Sequence, residues 1–236
     1  MLRFSFLSLF LFTLLTGFTL FAGNKDILSK PVIAIQPDTL LDNQILYNGR
    51  IWRNLYYLVQ DDQFLFSKEF LPGVLTIRSK TFNNVPLKYD IFNDEVLTPI
   101  DSGRILQLNK ELIDSFSLSF QNRKYLFIKM TEDTLKASKS FFNVLYKGKT
   151  TLLLKHEKKI DKLSVDGKYD KFYQINRIFI VSGEKLYPVN SKVDLFKVMP
   201  EDKSQLKDFM KNNKIRVSGK YPESFIPVIR FHDRNK

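Results

Sequence analysis

The feature that most constrains the fold is a succession of short apolar runs, rich in aromatic and β-branched residues, between about residue 51 and residue 189. Turn-forming pairs separate the first of these runs at Asp61-Asp62, Pro72-Gly73, Asn83-Asn84 and Asn93-Asp94. Such punctuation is typical of antiparallel strands joined by turns. The predicted strands cover residues 52–59, 63–66, 74–78, 85–92, 97–100, 104–108, 115–120, 125–130, 141–146, 150–155, 172–181 and 185–189. The pattern predicts about ten strands in a sheet built from a meander and hairpins.

One of these runs alternates strictly. Apolar residues at positions 116, 118 and 120 alternate with serine at positions 115, 117 and 119. Successive side chains of a strand point to opposite faces, so this alternation predicts one apolar face and one face in contact with water. Three later hairpin turns are predicted at Gln121-Asn122-Arg123, Lys147-Gly148-Lys149 and Ser182-Gly183-Glu184.

The hydrophobic period changes after Asn190. Apolar residues at positions 193, 196 and 199, and then at 206, 209 and 210, recur at the three- and four-residue spacings of amphipathic helices. Ser191 is a candidate cap for a first helix, a second would run from Pro200 to Asn212-Asn213, and a third would start at Pro222. Strands followed by helices predict an α+β fold, mostly antiparallel β, with two or three short C-terminal helices.

The first 22 residues suggest export. Arg3 precedes an uncharged apolar run from Phe4 to Phe21, and small residues at Ala22 and Gly23 come before a polar segment. This is the layout of a cleaved signal peptide, although the run is also long enough to span a bilayer as an uncleaved anchor. Either way the rest of the chain would be periplasmic, extracellular or part of the cell envelope. The predicted division is a signal peptide at 1–22, a β-rich domain at 23–190 and a helical segment at 191–236 packed on it.

Composition argues against several chemistries. The chain of 236 residues contains no cysteine, which excludes disulfides, cysteine-ligated zinc and thiol nucleophiles. Its two histidines are predicted to lie at a strand end on the surface, for His156, and near a frayed C-terminus, for His232. Gly148-Lys149-Thr150 matches the end of a phosphate-binding loop, but Asn143 replaces the first glycine and the segment joins two predicted strands. We therefore predict no catalytic residue, no cofactor and no metal site.

Positive charge is concentrated in the second half. Residues 1–120 hold 11 basic and 12 acidic side chains, while residues 121–236 hold 26 and 13, so the net charges are −1 and +13. Lys203, Lys207, Lys211 and Lys214 would line one helical face, and Lys158 and Lys159 add to the basic hairpins. Such a surface attracts polyanions. The predicted partner is an anionic envelope component or an acidic protein. No nucleic acid is expected, and membrane contact is expected only through an uncleaved residue 1–22 segment.

A second candidate surface is aromatic. Trp52, Tyr56 and Tyr57 lie in one predicted strand. Exposed, these residues could stack on sugar rings or anchor a partner protein, whereas facing inward they would belong to the core. Both interpretations stay open from the sequence.

Part of the sequence resembles a family. The stretch NSKVDLFKVMPEDKSQLKDFMKNNKIRV, followed by PESFIPVIRFHDR, resembles the C-terminal end of uncharacterised secreted proteins from Bacteroidota-type bacteria. LYNGRIWRN, QFLFSKEFLPG, VPLKYDIFNDEVL and FFNVLYKGKTTLLLKHEKKI are similar to the β-rich half of the same family. The resemblance covers about residues 45–235 and implies export and this topology, without implying an activity or a site.

Together these features predict an exported, non-enzymatic protein that is a binding or structural component of the cell envelope. An alternative is an envelope hydrolase that uses paired carboxylates such as Asp90, Asp94 or Glu95. A third reading is a membrane-anchored subunit of a larger assembly, held by residues 1–22. Strand order, closure of the sheet, oligomeric state and ligand are left open by the sequence.

Overall fold

The computed structural model describes residues 44–131, 139–182 and 185–235. The predicted signal peptide at 1–22 and the first part of the predicted β-rich domain lie outside the described residues. Residues 183 and 184 of the predicted turn at 182–184 also lie outside them. Ser182 and Lys185 are described, and they pair with each other across β10 and β11.

The described residues form one antiparallel sheet of eleven strands. The strands are β1 (Gly49–Ile51), β2 (Leu71–Ile77), β3 (Lys80–Asp90), β4 (Glu95–Pro99), β5 (Ile105–Leu108), β6 (Ile113–Phe120), β7 (Arg123–Thr131), β8 (Lys139–Lys147), β9 (Thr151–Val165), β10 (Tyr169–Ser182) and β11 (Lys185–Pro188). Their order in the sheet is β1-β5-β4-β3-β2-β6-β7-β8-β9-β10-β11. The class predicted from the sequence, mainly antiparallel β with short helices at the C-terminal end, is confirmed.

Two predicted strands are wrong. Residues 52–59 and 63–66 belong to a loop, and the strand-like pairing of this region with the sheet is limited to isolated bridges, from Gln60 to Lys171 and from Phe64 to Asp90. Local polar side chains explain this: Asn54 accepts a hydrogen bond from the backbone N–H of Tyr56, and Asp62 accepts one from that of Phe64. These bonds offer the backbone an alternative to a strand ladder.

Two predicted turns lie within strands. Pro72-Gly73 belongs to β2 and Asn83-Asn84 to β3, and the pairing register shifts between Gly73 and Leu75 at this point. The turn itself is formed by Arg78 and Ser79, which have positive φ angles of 48° and 65°. Positive φ at both central residues is what a tight two-residue hairpin requires. The turn-forming residues thus mark an irregularity of the sheet here and not a chain reversal.

The predicted water-facing side of β6 is covered in the middle. Ser117 is 2% exposed, whereas Ser119 is exposed. Val74 of β2 and Leu126 of β7 are its direct cross-strand partners and share its face. We attribute the burial of this small side chain to these larger apolar neighbours.

The sheet rolls up on itself. The backbone N–H of Lys158 in β9 donates to the carbonyl of Ile91, directly after β3, at 3.1 Å. Strands β2, β6, β7 and β8 stand between β3 and β9 in the sheet, so this bond brings distant strands together. The space between them is filled by a first core, hereafter the rolled core, whose largest fully buried side chains are Tyr89, Phe116, Phe127 and Phe141.

A second core, hereafter the helix-side core, lies between the sheet and the C-terminal helices. These are α1 (Lys192–Val198), α2 (Lys203–Asn212) and α3 (Ile226–Arg234), with a 3-10 turn at Pro222–Phe225. The sheet contributes Leu152, Leu154, Ile178 and Ile180, and the helical segment contributes Leu195, Leu206, Phe225 and Ile229. The helices therefore cover the N-terminal half of β9 and the C-terminal half of β10.

The helix boundaries follow local capping. Ser191 accepts a hydrogen bond from the backbone N–H of Asp194 at 3.2 Å and caps α1, as predicted. Helix α2 begins at Lys203, later than the predicted start at Pro200, and ends at Asn212, as predicted. Within the described ranges no helix is long and apolar enough to cross a bilayer.

Candidate functional site

The predicted lysine face exists as a surface of α2. Lys203, Lys207 and Lys211 on the helix and Lys214 just after it are exposed, while Leu206 on the opposite side is completely buried. None of the four lysines lies within salt-bridge distance of a carboxylate among residues 44–131, 139–182 and 185–235. We call these four residues the α2 lysine face.

Lys158 and Lys159 behave differently from each other. The ammonium group of Lys158 contacts the backbone carbonyl of Asp62 and lies 3.1 Å from its carboxylate. The side chain of Lys158 is 12% exposed, so this cation already has an internal partner. Lys159, the next residue along β9, is exposed. Successive strand residues face opposite ways, so these two lysines cannot act as one surface.

The predicted aromatic cluster divides in the same way. Trp52 is half-buried and packs on Phe64, with ring centroids 5.9 Å apart. Tyr56 packs edge-on against Phe92 at 4.8 Å. Only Tyr57 points away from the body, with 74% of its surface exposed. Two of the three rings thus help to hold the loop on the sheet.

Two of the carboxylates considered for hydrolysis, Asp90 and Asp94, have internal partners. Asp90 is completely buried and accepts hydrogen bonds from the backbone N–H groups of Phe92 and Asn93 and from the Asn93 side chain, at 2.9–3.0 Å. Burial raises the pKa of Asp90, and these hydrogen bonds oppose that rise. Asp94 accepts from the Tyr89 hydroxyl at 2.6 Å and pairs with Lys110. These contacts hold the turn after β3 against Tyr89 of β3 and against Lys110, which follows β5.

Both histidines are buried, contrary to prediction. His156 lies inside β9 with 8% of its surface exposed, and His232 lies in α3 with 4% exposed. The strand β9 continues to Val165, well beyond the predicted end at residue 155, because its long pairing with β10 extends that far. His232 Nδ1 is 3.0 Å from an Asp202 carboxylate oxygen. Neither residue is at a frayed or exposed end.

The setting of His156 is a cavity where the two cores meet. Phe127 of the rolled core pairs with Asn143 on β8, and Asn143 pairs with Leu154 of the helix-side core on β9. Cross-strand partners share a face, so Asn143 stands between the two cores. His156 follows Leu154 on the same face of β9 and pairs with Asn176 of β10.

We call this space the seam cavity. Its volume is about 260 Å³. The floor consists of Tyr125, Asn143, Leu145, Leu154, His156 and Asn176. The wall consists of residues 220–223, which lead into the last helix. An exposed ion pair joins this wall to the opposite side, with Arg123 at the start of β7 3.3 Å from Glu223.

The hydrogen bonds around His156 determine which nitrogen carries the proton. His156 Nδ1 is 3.0 Å from Asn176 Oδ1, an oxygen that also accepts from Gln174 Nε2 at 3.0 Å. The Gln174 amide nitrogen also lies 3.4 Å from Nδ1. An amide oxygen can only accept, so the shorter contact, to Asn176, favours the tautomer with hydrogen on Nδ1 and the lone pair on Nε2. Burial lowers the pKa of His156 to about 4, so the ring is neutral at physiological pH.

Two polar atoms of the floor are left without a partner. His156 Nε2 and Asn143 Nδ2 are both buried, and neither forms a hydrogen bond within the part of the chain that the structure describes. A buried polar group without a partner costs about 1–3 kcal/mol. The seam cavity therefore holds one unused acceptor and one unused donor.

A residue with a strained backbone packs beside Tyr125 and His156. Phe66 has a φ angle of 67°, which is rare for a bulky side chain. Its ring stacks on Phe120 at 5.1 Å, contacts Tyr125 at 4.4 Å and lies 6.1 Å from the His156 ring. Backbone strain of this kind persists only where surrounding packing enforces it.

A second cavity of about 310 Å³ lies near His232 and is lined by Lys149, Thr150 and residues 198–202. Here the Asp233 carboxylate accepts the backbone N–H of Thr150 at 3.0–3.1 Å. A Cβ atom at Gly148 would come within 2.2 Å of that carboxylate. As predicted, Gly148-Lys149-Thr150 is a hairpin turn and not a phosphate-binding loop, and its glycine makes room for Asp233.

Sequence reasoning did not predict the seam cavity.

Comparisons with protein-family models, with curated proteins and with solved structures found no match to this chain. Within residues 44–131, 139–182 and 185–235, no group of three or more acidic or histidine side chains is arranged to hold a metal ion. The site must therefore be interpreted from its own geometry.

Proposed function

We propose that this chain is an exported, non-enzymatic binding protein of the cell envelope that holds a small ligand in the seam cavity. The observation that carries the proposal is the pair of unused polar atoms, His156 Nε2 and Asn143 Nδ2, in a floor that is otherwise largely apolar. Ligand sites are mostly apolar hollows with a few polar groups that fix the orientation of the ligand. Export rests on the sequence of residues 1–22 and on the resemblance to secreted proteins of Bacteroidota-type bacteria.

The chemistry of the floor supports binding over catalysis. Neutral His156 donates through Nδ1 to Asn176, and no carboxylate contacts its ring among the described residues. A histidine that acts as a general base has a pKa near the working pH, whereas that of His156 is about 4. Asp90 and Asp94, which the hydrolase alternative would use, already bind groups of their own turn region.

The test uses the fact that the chain has only two histidines. Protein labelled with ¹⁵N in histidine gives separate ring signals for His156 and His232. We expect a set of small uncharged aromatic fragments to shift the His156 signals in a saturable way, while His232 serves as the internal reference. Each fragment that binds should be recovered unchanged after prolonged incubation. Absence of any shift at His156, or turnover of a bound fragment, would contradict the proposal.

A second candidate function is attachment to an anionic surface. It is favoured by the α2 lysine face, whose four cations have no internal partner among the described residues. Polyanion binding of this kind weakens with salt, because the screening length falls from about 10 Å at 0.1 M to about 3 Å at 1 M.

Sedimentation with vesicles of anionic phospholipid tests this second function. The variant with glutamine at positions 203, 207, 211 and 214 should lose most of its vesicle binding. A matched variant replaces four exposed lysines outside α2, at positions 147, 149, 159 and 162, with glutamine. This variant should retain its vesicle binding. Equal loss in both variants would show that binding depends on net charge and not on the α2 lysine face.

Mass determination of the native N-terminus separates a protein whose residues 1–22 are cleaved from a subunit anchored by them.

A further inference from the structure

We infer that the seam cavity takes an uncharged carboxamide group, whose N–H donates to His156 Nε2 and whose carbonyl accepts from Asn143 Nδ2. This inference rests on the proposed function and adds the chemical class of the ligand. It starts from the two atoms that have no partner, one acceptor and one donor on neighbouring strands. A carboxamide carries one donor and one acceptor in a single small group, and in a trans secondary amide they point to opposite sides, so an amide that lies between the two atoms can satisfy both.

The charges around the cavity favour a neutral group. Burial keeps the His156 ring neutral and outweighs the opposite effect of its hydrogen bond to Asn176. At the wall, Lys220 is exposed to solvent and Glu223 pairs with Arg123, so neither supplies an unpaired charge inside. A carboxylate or an ammonium group would lose its hydration there without gaining an opposite charge, and this loss is costly.

The remaining surface of the cavity favours an apolar substituent on the amide. Tyr125, Leu145 and Leu154 lie in the floor, and Tyr221 and Pro222 belong to the wall. The volume of about 260 Å³ is below the range of roughly 300–1,000 Å³ that is common for sites of drug-sized ligands. The cavity therefore suits a small amide or an acylated amine at the end of a larger molecule.

We expect entry to involve movement of the wall. His156 Nε2 and Asn143 Nδ2 are shielded from solvent, and residues 220–223 line the same cavity, so a shift of these residues is the expected route to the two atoms. Tyr221 is 62% exposed, and the only ion pair that joins this wall to β7 among the described residues is the exposed one between Arg123 and Glu223. Exposed ion pairs contribute little to stability, so the wall can open at low cost.

Two matched probes test the inference: N-benzylacetamide, and benzyl acetate, in which an ester oxygen replaces the N–H. Affinities are measured by titration of the histidine-labelled protein. We expect the amide to bind about tenfold more tightly or better, because the ester leaves His156 Nε2 without a donor. Phenylacetate, which is charged, should bind more weakly than either. Equal affinity for amide and ester would overturn the inference.

Variants assign the two contacts. His156→Phe should remove the preference for the amide over the ester, and His156→Gln, which keeps an acceptor, should restore part of it. Asn143→Leu should weaken both probes to a similar extent, because both have the carbonyl. Circular dichroism checks that each variant is folded, and His232→Phe is the matched control outside the cavity. A His156→Phe variant that is folded and still prefers the amide would overturn the inference.

Further probes separate the natural sources of such a group. N-acetylglucosamine represents an acetylated sugar, and N-acetylphenylalanine amide represents an acylated peptide end. Stronger binding of one of them identifies the source while supporting the shared amide chemistry. If neutral fragments shift the His156 signals but the amide shows no preference over the ester, the inference fails and the proposed function stands. If no compound shifts those signals, the proposed function fails as well.

Discussion

The Asp90 turn and the seam cavity treat buried polar groups in opposite ways. At Asp90 both carboxylate oxygens accept hydrogen bonds, from Asn93, Phe92 and Gln63. In the seam cavity, His156 and Asn143 each keep one polar atom without a partner. Since unsatisfied buried groups destabilise the fold, only the first arrangement is explained by stability alone. This difference is the observation on which the proposed binding function depends.

The largest predicted effect is at the Asp90 turn. Asp90→Ala leaves Gln63, which is 2% exposed, and the N–H groups of residues 92 and 93 without their acceptor. We expect the free energy of unfolding to fall by about 3 kcal/mol or more. The measurement is urea denaturation at neutral pH.

The control for this change is Asp114→Ala. Asp114 is exposed and accepts one backbone hydrogen bond, from Ser79 at 2.6 Å. Loss of this hydrogen bond should lower the free energy of unfolding by about 1 kcal/mol or less.

The same measurement on His156→Phe completes the comparison. The phenyl ring removes the unsatisfied Nε2 and also the bond to Asn176, so we expect the free energy of unfolding to change by about 1 kcal/mol in either direction. A cost for His156→Phe as large as that for Asp90→Ala would contradict the comparison.

The next effect is the response of stability to acid. The pKa of His156 is about 4 in the folded protein and about 6.5 in an unfolded chain. The unfolded state therefore binds more protons than the folded state between these values, and stability falls as the pH drops from about 6.5 to about 4. The full loss from this residue is about 3 kcal/mol.

Denaturation of wild type and His156→Phe across that pH range measures this effect. The variant should lack the part of the acid slope that comes from His156, so wild type should lose about 3 kcal/mol of stability relative to the variant as the pH falls from about 6.5 to about 4. Parallel curves would mean that Nε2 already has a partner when protonated, and the interpretation of this nitrogen as an unused acceptor would be wrong.

The sequence predicted the body of the fold more accurately than the site. The apolar runs of β6, β7 and β8 were sufficient to predict these strands, because hydrophobic periodicity and turn-forming residues are local properties of the sequence. Residues 52–66 were misassigned because side chains such as Asn54 and Asp62 bind the backbone locally and compete with strand pairing. The α2 lysine face was located correctly as an exposed helical surface, since a spacing of three and four residues determines one side of a helix.

The seam cavity depends on non-local pairing, which the sequence pattern does not contain. Asn143 was noted only as the wrong residue for a phosphate-binding loop, and His156 was expected to lie at a strand end. What joins them is the register of β8 with β9 and the packing of residues 220–223 over that floor. One signal was available. His156 directly follows an apolar, β-prone run, and a histidine inside a longer strand at this point would be buried. The basic residues that follow His156 made the strand seem to end there, although β9 continues to Val165.

The smallest predicted effect concerns the wall of the cavity. Arg123 and Glu223 are 66% and 65% exposed in their side chains, so Arg123→Ala should change the free energy of unfolding by less than about 1 kcal/mol. The same change removes the ion pair that joins the wall to β7. Because the expected route to His156 passes residues 220–223, we expect N-benzylacetamide to associate and dissociate faster with nearly unchanged affinity. Exchange broadening of the His156 signals measures these rates, and Lys124→Ala, next to Arg123 but without a contact to the wall, is the matched control. Unchanged rates in Arg123→Ala would mean that ligands enter by another side, and the opening of residues 220–223 would no longer account for access to the two unused polar atoms.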